Sequence, residues 1–236
     1  MHYSNVVQAQ FLSRINRFVA RVLLNGQEIS AHVKNTGRCR ELFVPGAAVF
    51  LAAAENTNRK TAYDLIAVQK GDLLINVDSH APNQVFREWV EQGSFVQNMT
   101  EIHPEYTYGD SRFDFCLKQG ENNHLVEVKG VTLEENGVAR FPDAPTERGI
   151  KHLNGLIAAR EQGFECTLCF VVQMSPVKWV EPNDRTHPAF GDALRRASAA
   201  GVRIIAVDCS VTPDTLTVKN NIPVRLSSVV SEGELL

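Results

Sequence analysis

The sequence predicts a mixed α/β protein of two units, a small closed β-barrel followed by an α/β unit whose central mixed sheet is flanked by helices. Three observations predict it. At 236 residues, and roughly 150 residues per domain, the chain has room for two modest units or one large one. Residues 17 to 78 break into short β-like runs separated by turns, whereas helical and strand-like patterns alternate beyond Pro82. A composition of 44% hydrophobic and 22% charged residues is that of a globular chain, which sets aside a disordered, collagenous or coiled-coil one.

In the first unit, 1–82, Phe18–Leu24 and Glu28–Val33 flank Asn25-Gly26, a strong signal for a type I′ hairpin. Ala48–Leu51, Tyr63–Val68 and Leu73–Val77 follow at hairpin spacing, with Pro45-Gly46 and Lys70-Gly71-Asp72 as breaks. Five short antiparallel strands in about 65 residues suit a small closed barrel of the OB-like kind. Such barrels commonly bind nucleic acid or sugar, though fold alone proves no function.

The second unit, 83–236, opens with Val85, Phe86, Trp89 and Val90 at helical spacing, and Gly93 as the stop. Strand-like segments follow around Ile102–Tyr106, Ser111–Lys118 and His124–Val131, then a return through Gly137–Phe141. A helix is expected from Pro145 to Glu161, a buried strand over Cys166–Gln173, a helix over Pro188–Ala200 and a last strand over Val202–Val207. The tail from Ser227 to Leu236 is expected to be loose. The longest apolar run, Ala47–Ala54, has eight residues against about 20 for a membrane helix. The start of the chain lacks a basic segment followed by an apolar core, so a cytoplasmic protein is expected. Five cysteines thinly spread over the chain argue for reduced thiols. Cys166 and Cys169 lie three apart on a strand, and so on opposite faces.

Charge is divided unevenly. Residues 1–80 carry nine Lys/Arg and six Asp/Glu, net +3, while residues 81–236 carry 15 and 21, net −6. A basic unit beside an acidic one is compatible with one gripping phosphates while the other gathers carboxylates.

Chemistry gathers on two strands. In Ser111–Leu117, Phe113, Phe115 and Leu117 alternate with Arg112, Asp114 and Cys116; in Leu125–Lys129, Val126 and Val128 alternate with Glu127 and Lys129. If the two form a hairpin with both apolar faces turned to one core, Asp114 shares the opposite face with Glu127 and Lys129. Paired carboxylates hold a hard divalent cation such as Mg²⁺ or Mn²⁺, and a lysine beside it can orient or deprotonate a water for attack on phosphorus. An isolated Glu-x-Lys on a strand would more often be solvated surface; the preceding Asp and the order of elements favour a site.

This arrangement resembles the PD-(D/E)xK nuclease fold, with Asp114 and Glu127-x-Lys129 at its acidic and lysine positions and Phe113 in place of the proline. Across most of its length the chain is similar to the sugar fermentation stimulation protein A family. The matching stretches are Lys34–Arg38, Tyr63–Val68, Tyr108–Phe115, Val126–Leu133 and Phe141–Leu153. The resemblance implies an N-terminal OB-like domain, a C-terminal nuclease-like domain, DNA binding without marked sequence specificity and a link to sugar (maltose) utilisation. The metal set expected on this basis is Asp114, Glu127 and Val128, and the catalytic set Asp114, Glu127 and Lys129.

Other residues complete the expected site. Arg148, Lys151 and His152 lie opposite the apolar side (Ile150, Leu153, Leu156, Ile157) of the expected helix, where the two cations could clamp a phosphate and His152 could assist. Glu88 and Glu105 are candidate extra carboxylates. In the first unit Arg14, Arg17, Arg21, Lys34, Arg38 and Arg40 supply positive charge, and Asn35-Thr36-Gly37-Arg38 suits a phosphate, as a backbone-donor turn followed by a guanidinium. Arg17, Asn35, Thr36, Arg38 and Arg40 are therefore expected to bind substrate. Phe11, Phe18 and Phe43 are either stacking platforms or core. The leading function is a metal-dependent phosphodiesterase acting on nucleic acid, DNA foremost; the alternative is a DNA-binding regulator of sugar metabolism that does not cut. A sugar-binding protein is a third class, without a motif in its favour.

Overall fold

The structure, a computed structural model, describes every residue except Thr36, Glu55, Thr57, Asn58, Gln97 and 228–236; the tail expected to be loose falls almost wholly outside the described residues. The first six strands are β1 (Val6–Asn16), β2 (Val19–Leu24), β3 (Gln27–Val33), β4 (Ala48–Ala53), β5 (Tyr63–Lys70) and β6 (Leu73–Asn76). They form one sheet, ordered β3-β2-β1-β4-β5-β6, which a parallel pairing of β3 with β5 at His32↔Asp64 and Val33↔Leu65 closes. The barrel has five strands as expected, with one membership changed: β1 belongs to the ring, while β6 pairs with β5 outside it. Asn5, Gln8, Gln10 and Ser13 hide β1 in the sequence, because the strand turns only Ala9 and Phe11 fully inward. Gly26, at a φ of +79°, makes the β2–β3 turn that the Asn-Gly pair predicts.

The second unit comprises α1 (Ala81–Glu91), β7 (Glu101–Tyr108), β8 (Ser111–Gln119), β9 (Asn122–Val131), β10 (Leu133–Glu135), β11 (Val138–Phe141), α2 (Glu147–Glu161), β12 (Glu165–Val172), β13 (Trp179–Pro182), α3 (Pro188–Ala199), β14 (Arg203–Val211) and β15 (Leu216–Ile222). Six of its strands form a mixed sheet ordered β15-β14-β12-β9-β8-β7. It is parallel at its centre, β9-β12-β14, and antiparallel towards both edges. β10, β11 and β13 make a small separate sheet. Helix α2 starts at its cap Thr146, whose Oγ1 accepts from the Gly149 amide at 3.1 Å, and not at Pro145.

Both faces of the large sheet are covered. Val85 and Phe86 of α1 pack with Phe115, Leu117, Val126 and Val128 on one face, while Leu153, Leu156, Phe190 and Leu194 of α2 and α3 pack with Phe113, Leu125 and Phe170 on the other. This corrects the expectation that Phe113, Phe115 and Leu117 share a face. β8 rotates between Phe113 and Phe115, where it parts from β9: the ladder reaches Phe115↔Val126 and no further. Close approach of α2 fixes the rotation, since a Cβ on Gly155 would lie 2.9 Å from Ser111 Oγ and 3.0 Å from Phe113 Cζ. All five cysteines are buried free thiols, and Cys166 and Cys169 face opposite sides of the sheet as expected.

Polar contacts join the two units. Gln173, buried just past β12, donates from Nε2 to Asn76 Oδ1 at 2.8 Å and to the Asp78 carbonyl at 3.0 Å, and its own carbonyl accepts from the Asn76 amide at 3.0 Å. Lys70 reaches Glu134, and one apolar cluster runs from the barrel interior to the α2 side of the sheet. Among the described residues no helix is long and apolar enough to cross a membrane.

Candidate metal and nucleic-acid site

Where β8 and β9 separate, the Val128 amide loses its place in the ladder. Asp114 fills it: Oδ2 accepts from Val128 N at 2.7 Å, and Oδ1 accepts from Asn83 Nδ2 of α1 at 2.8 Å. Glu127 is 2% exposed and points to the α2 side. Its Oε1 takes two donors, Lys129 Nζ and His152 Nδ1, while Oε2 is buried without a partner among the described residues. Arg148 Nε donates to His152 Nε2 at 3.3 Å, so the network assigns the histidine proton to Nδ1, aimed at Glu127.

The electrostatics separate the two acids. Burial pushes the Asp114 carboxyl up, and the Glu127 charge pushes it further. Burial also acts to raise Glu127, but His152 and Lys129 outweigh it and hold Glu127 below the usual carboxylate range. A buried carboxylate oxygen without a donor costs about 1–3 kcal/mol unless something satisfies it, and its free lone pairs suit a hard cation. Val128 is apolar, so its backbone carbonyl is what it can offer a metal. Among the described residues no group of three or more His, Cys, Asp or Glu could hold a metal. Two carboxylates with water and phosphate ligands match the sparse protein coordination typical of Mg²⁺.

Asp114, Glu127 and Lys129 thus stand together. His152 does not lie on the solvent side of α2: it is buried against Glu127, its ring 6.1 Å from that of Phe113. Arg148 and Lys151 are exposed on the same helix. The extra carboxylates are elsewhere, since Glu88 binds the Met1 amine and Glu105 pairs at the surface with Arg112. Asn83 escapes sequence reasoning, because a lone Asn after a proline carries no signal for such a role.

A second group forms on the barrel. Arg17, Arg38 and Arg40 are exposed and line a cleft of about 330 Å³ with Arg14, Asn16 and Phe43. Arg14 is committed to structure: its guanidinium donates to the carbonyls of Arg17, Asn35, Gly37 and Arg38 and sits 4.9 Å from the Phe43 ring centroid. Arg21 pairs with Glu28, and Lys34 with Asp64 and Asp78. Phe11 and Phe43 stack on each other inside the barrel, whereas Phe18 is 52% exposed beside Arg17. Asn35 does not itself line the basic cleft, though its carbonyl accepts from Arg14, and its Oδ1 accepts from the Gly37 amide at 2.7 Å; Thr36 is outside the described residues.

Comparisons with known proteins cover both units. A family model described as the sugar fermentation stimulation protein RE domain matches residues 80–215, and one described as the SfsA N-terminal OB domain matches residues 12–77. The chain is 54% identical to the sugar fermentation stimulation protein homolog of Desulfitobacterium hafniense (strain DSM 10664 / DCB-2), over 96% of this chain and 99% of that one. It is 47% identical to the homolog of Clostridium beijerinckii, over 96% and 100%. Among solved structures, SfsA of Pyrococcus furiosus in complex with Ca²⁺ superposes with a TM-score of 0.87 at 25% identity, over 95% of this chain and 98% of that one.

Proposed function

The chain belongs to the sugar fermentation stimulation protein family, and from that premise we propose that it is a divalent-metal-dependent phosphodiesterase acting on nucleic acid, DNA foremost. The observation that carries this function is the Oε2 of Glu127, buried and without a partner among the described residues, beside Asp114 and Lys129. Asp114, Glu127 and the Val128 carbonyl would hold Mg²⁺ or Mn²⁺; the Ca²⁺ in the Pyrococcus furiosus structure supports a hard cation in a related fold. Such a cation, when bound, neutralises charge on the phosphate and acidifies water. Lys129 would orient or deprotonate the attacking water, His152 holds Glu127 in place, and Arg148 and Lys151 face the solvent where a phosphodiester would lie. Arg17, Arg38 and Arg40 would hold the strand's backbone, with Phe18 available for stacking.

The alternative, a DNA-binding regulator of sugar metabolism that does not cut, is separated from this one by a single assay. Plasmid, single-stranded DNA and structured RNA are incubated with the protein and Mg²⁺, Mn²⁺ or chelator. Cleavage should require the metal, vanish in Asp114→Asn with binding retained, and fall about 10²- to 10⁴-fold in Lys129→Ala. Tight binding without cleavage of any substrate in either metal would establish the regulator instead.

A further inference from the structure

A small polar cleft of about 130 Å³ lies in the seam between the two units, lined by Asn35, Gly130, Thr132, Phe141, Asp143 and Gln173 among others. It adjoins the metal site through the chain, since Gly130 follows Lys129 and Asp143 stands three residues before Thr146, the cap of the helix that carries Arg148 and His152. The roles described so far use neither Asp143 nor the Oε1 of Gln173.

Three polar groups there are available. Gln173 is 2% exposed, and although its Nε2 is doubly bonded, its Oε1 receives no donor from the described residues. Asn35 spends Oδ1 on the Gly37 amide and, among the described residues, leaves Nδ2 unused. Asp143 is an exposed residue whose carboxylate, partly desolvated, takes the backbone amides of Asp143 and Ala144 and keeps further lone pairs. Two glycines keep these groups in position. A Cβ on Gly130 would lie 2.7 Å from Gln173 Oε1 and 2.6 Å from Pro82 Cγ, and one on Gly37 would lie 2.6 Å from Asp143 Oδ2 and 2.8 Å from Asn35 Oδ1. Bare backbone at both places leaves a flat approach to the cleft, and the half-buried ring of Phe141 adds an apolar wall.

We infer that the seam cleft is a guanine-selective subsite for a nucleotide flanking the phosphate at the metal site. The inference rests on the phosphodiesterase function proposed above. Of the other polar lining residues, Ser79 spends its hydroxyl proton on the Lys34 carbonyl, Arg140 its guanidinium on Glu135 and Glu181, and Thr132 bonds the Cys39 thiol. Beyond these the cleft offers two acceptors, Gln173 Oε1 and the Asp143 carboxylate, and one donor, Asn35 Nδ2. Among the DNA bases only the pairing edge of guanine has the complement, two donors at N1 and N2 and an acceptor at O6; adenine, cytosine and thymine each present one donor group there. Any of those three would leave a cleft acceptor unpaired, and one good polar pairing to a base separates right from wrong by about 1–3 kcal/mol, on the order of tenfold or more in affinity.

The test is fluorescence anisotropy in chelator, where nothing is cut, with a short single-stranded thymidine homopolymer bearing one dG, dA or dC, or none. The dG probe should bind about tenfold more tightly than the other three. Asp143→Asn should bring that ratio to near one and leave binding of plain homopolymer unchanged. Asn35→Asp, which retains the acceptor for Gly37 but exchanges the donor for a negative charge, should also lower the ratio. Equal binding of all four probes to the wild type, or a dG preference that survives both variants, overturns the subsite and leaves the parent function standing. Absence of binding to every probe, together with absence of cleavage, overturns both.

Discussion

Among the described residues Glu127 takes two hydrogen-bond donors on one oxygen and none on the other, and that asymmetry marks out the candidate site. The Glu-x-Lys spacing is legible in the sequence because a strand puts alternate residues on one face, and Asp114 follows from the alternation next to it. The route to Asp114 is different, however: it does not share an exposed face with Glu127 but takes the amide that the ladder abandons. Glu88 and Glu105 show the limit of composition, because an acid's partner is fixed by distant residues such as Met1. Asp64 is a comparable case in the barrel. Burial acts to raise its carboxyl, but hydrogen bonds from Arg59, His32 and Lys34 outweigh it and bring the pKa down to about 2 from 3.8. A depressed carboxylate stabilises the fold above its unfolded pKa, and the contribution fades as pH falls through the folded value. Asp64→Asn should therefore cost about 2 kcal/mol near neutrality, with the gap to wild type closing between pH ~4 and ~2. Urea melts across that range check it, and a gap independent of pH would contradict it.

At the scale of elements, those with buried faces are the legible ones. β2, β3, β5, β9, β12 and both long helices fall within a few residues of their expected places, because their apolar periodicity is strong. β1, β13 and β15 escape notice, since each buries few side chains: β15 has a single fully buried residue, Leu216, among Leu216–Ile222. Helix α2 matters most for the site because it delivers His152 to Glu127. Its cap sets where the helix begins, and Thr146→Ala removes the acceptor for the Gly149 amide. That substitution should cost about 1 kcal/mol, seen as a lower urea midpoint with an unchanged slope. An unchanged midpoint would mean that the Thr146 hydroxyl contributes nothing to holding the helix.

Over the whole molecule, two units and their order are legible from the change of periodicity near Pro82, but their docking is not. Gln173 meets Asn76 across 97 residues of chain and Lys70 meets Glu134 across 64; no local pattern encodes such pairs. The unequal charge of the two halves does carry over into structure, as Arg17, Arg38 and Arg40 gather at one cleft on the barrel. Replacing all three by Gln should weaken duplex binding and flatten its salt dependence by about 0.9 log unit for each phosphate that is no longer neutralised. A slope identical to wild type would place the nucleic acid elsewhere on the surface.

The proposed function requires that Oε2 of Glu127, which has no partner among the described residues, holds a divalent cation together with Asp114. Calorimetric titration of the protein with Mn²⁺, without nucleic acid, tests it most directly. Saturable binding of one ion per chain, weakened at least about tenfold in both Glu127→Gln and Asp114→Asn while Glu88→Gln binds as wild type, is the predicted result; a tenfold change corresponds to about 1.4 kcal/mol. Wild-type protein that takes up no Mn²⁺, or variants that take it up as well as wild type does, would contradict it.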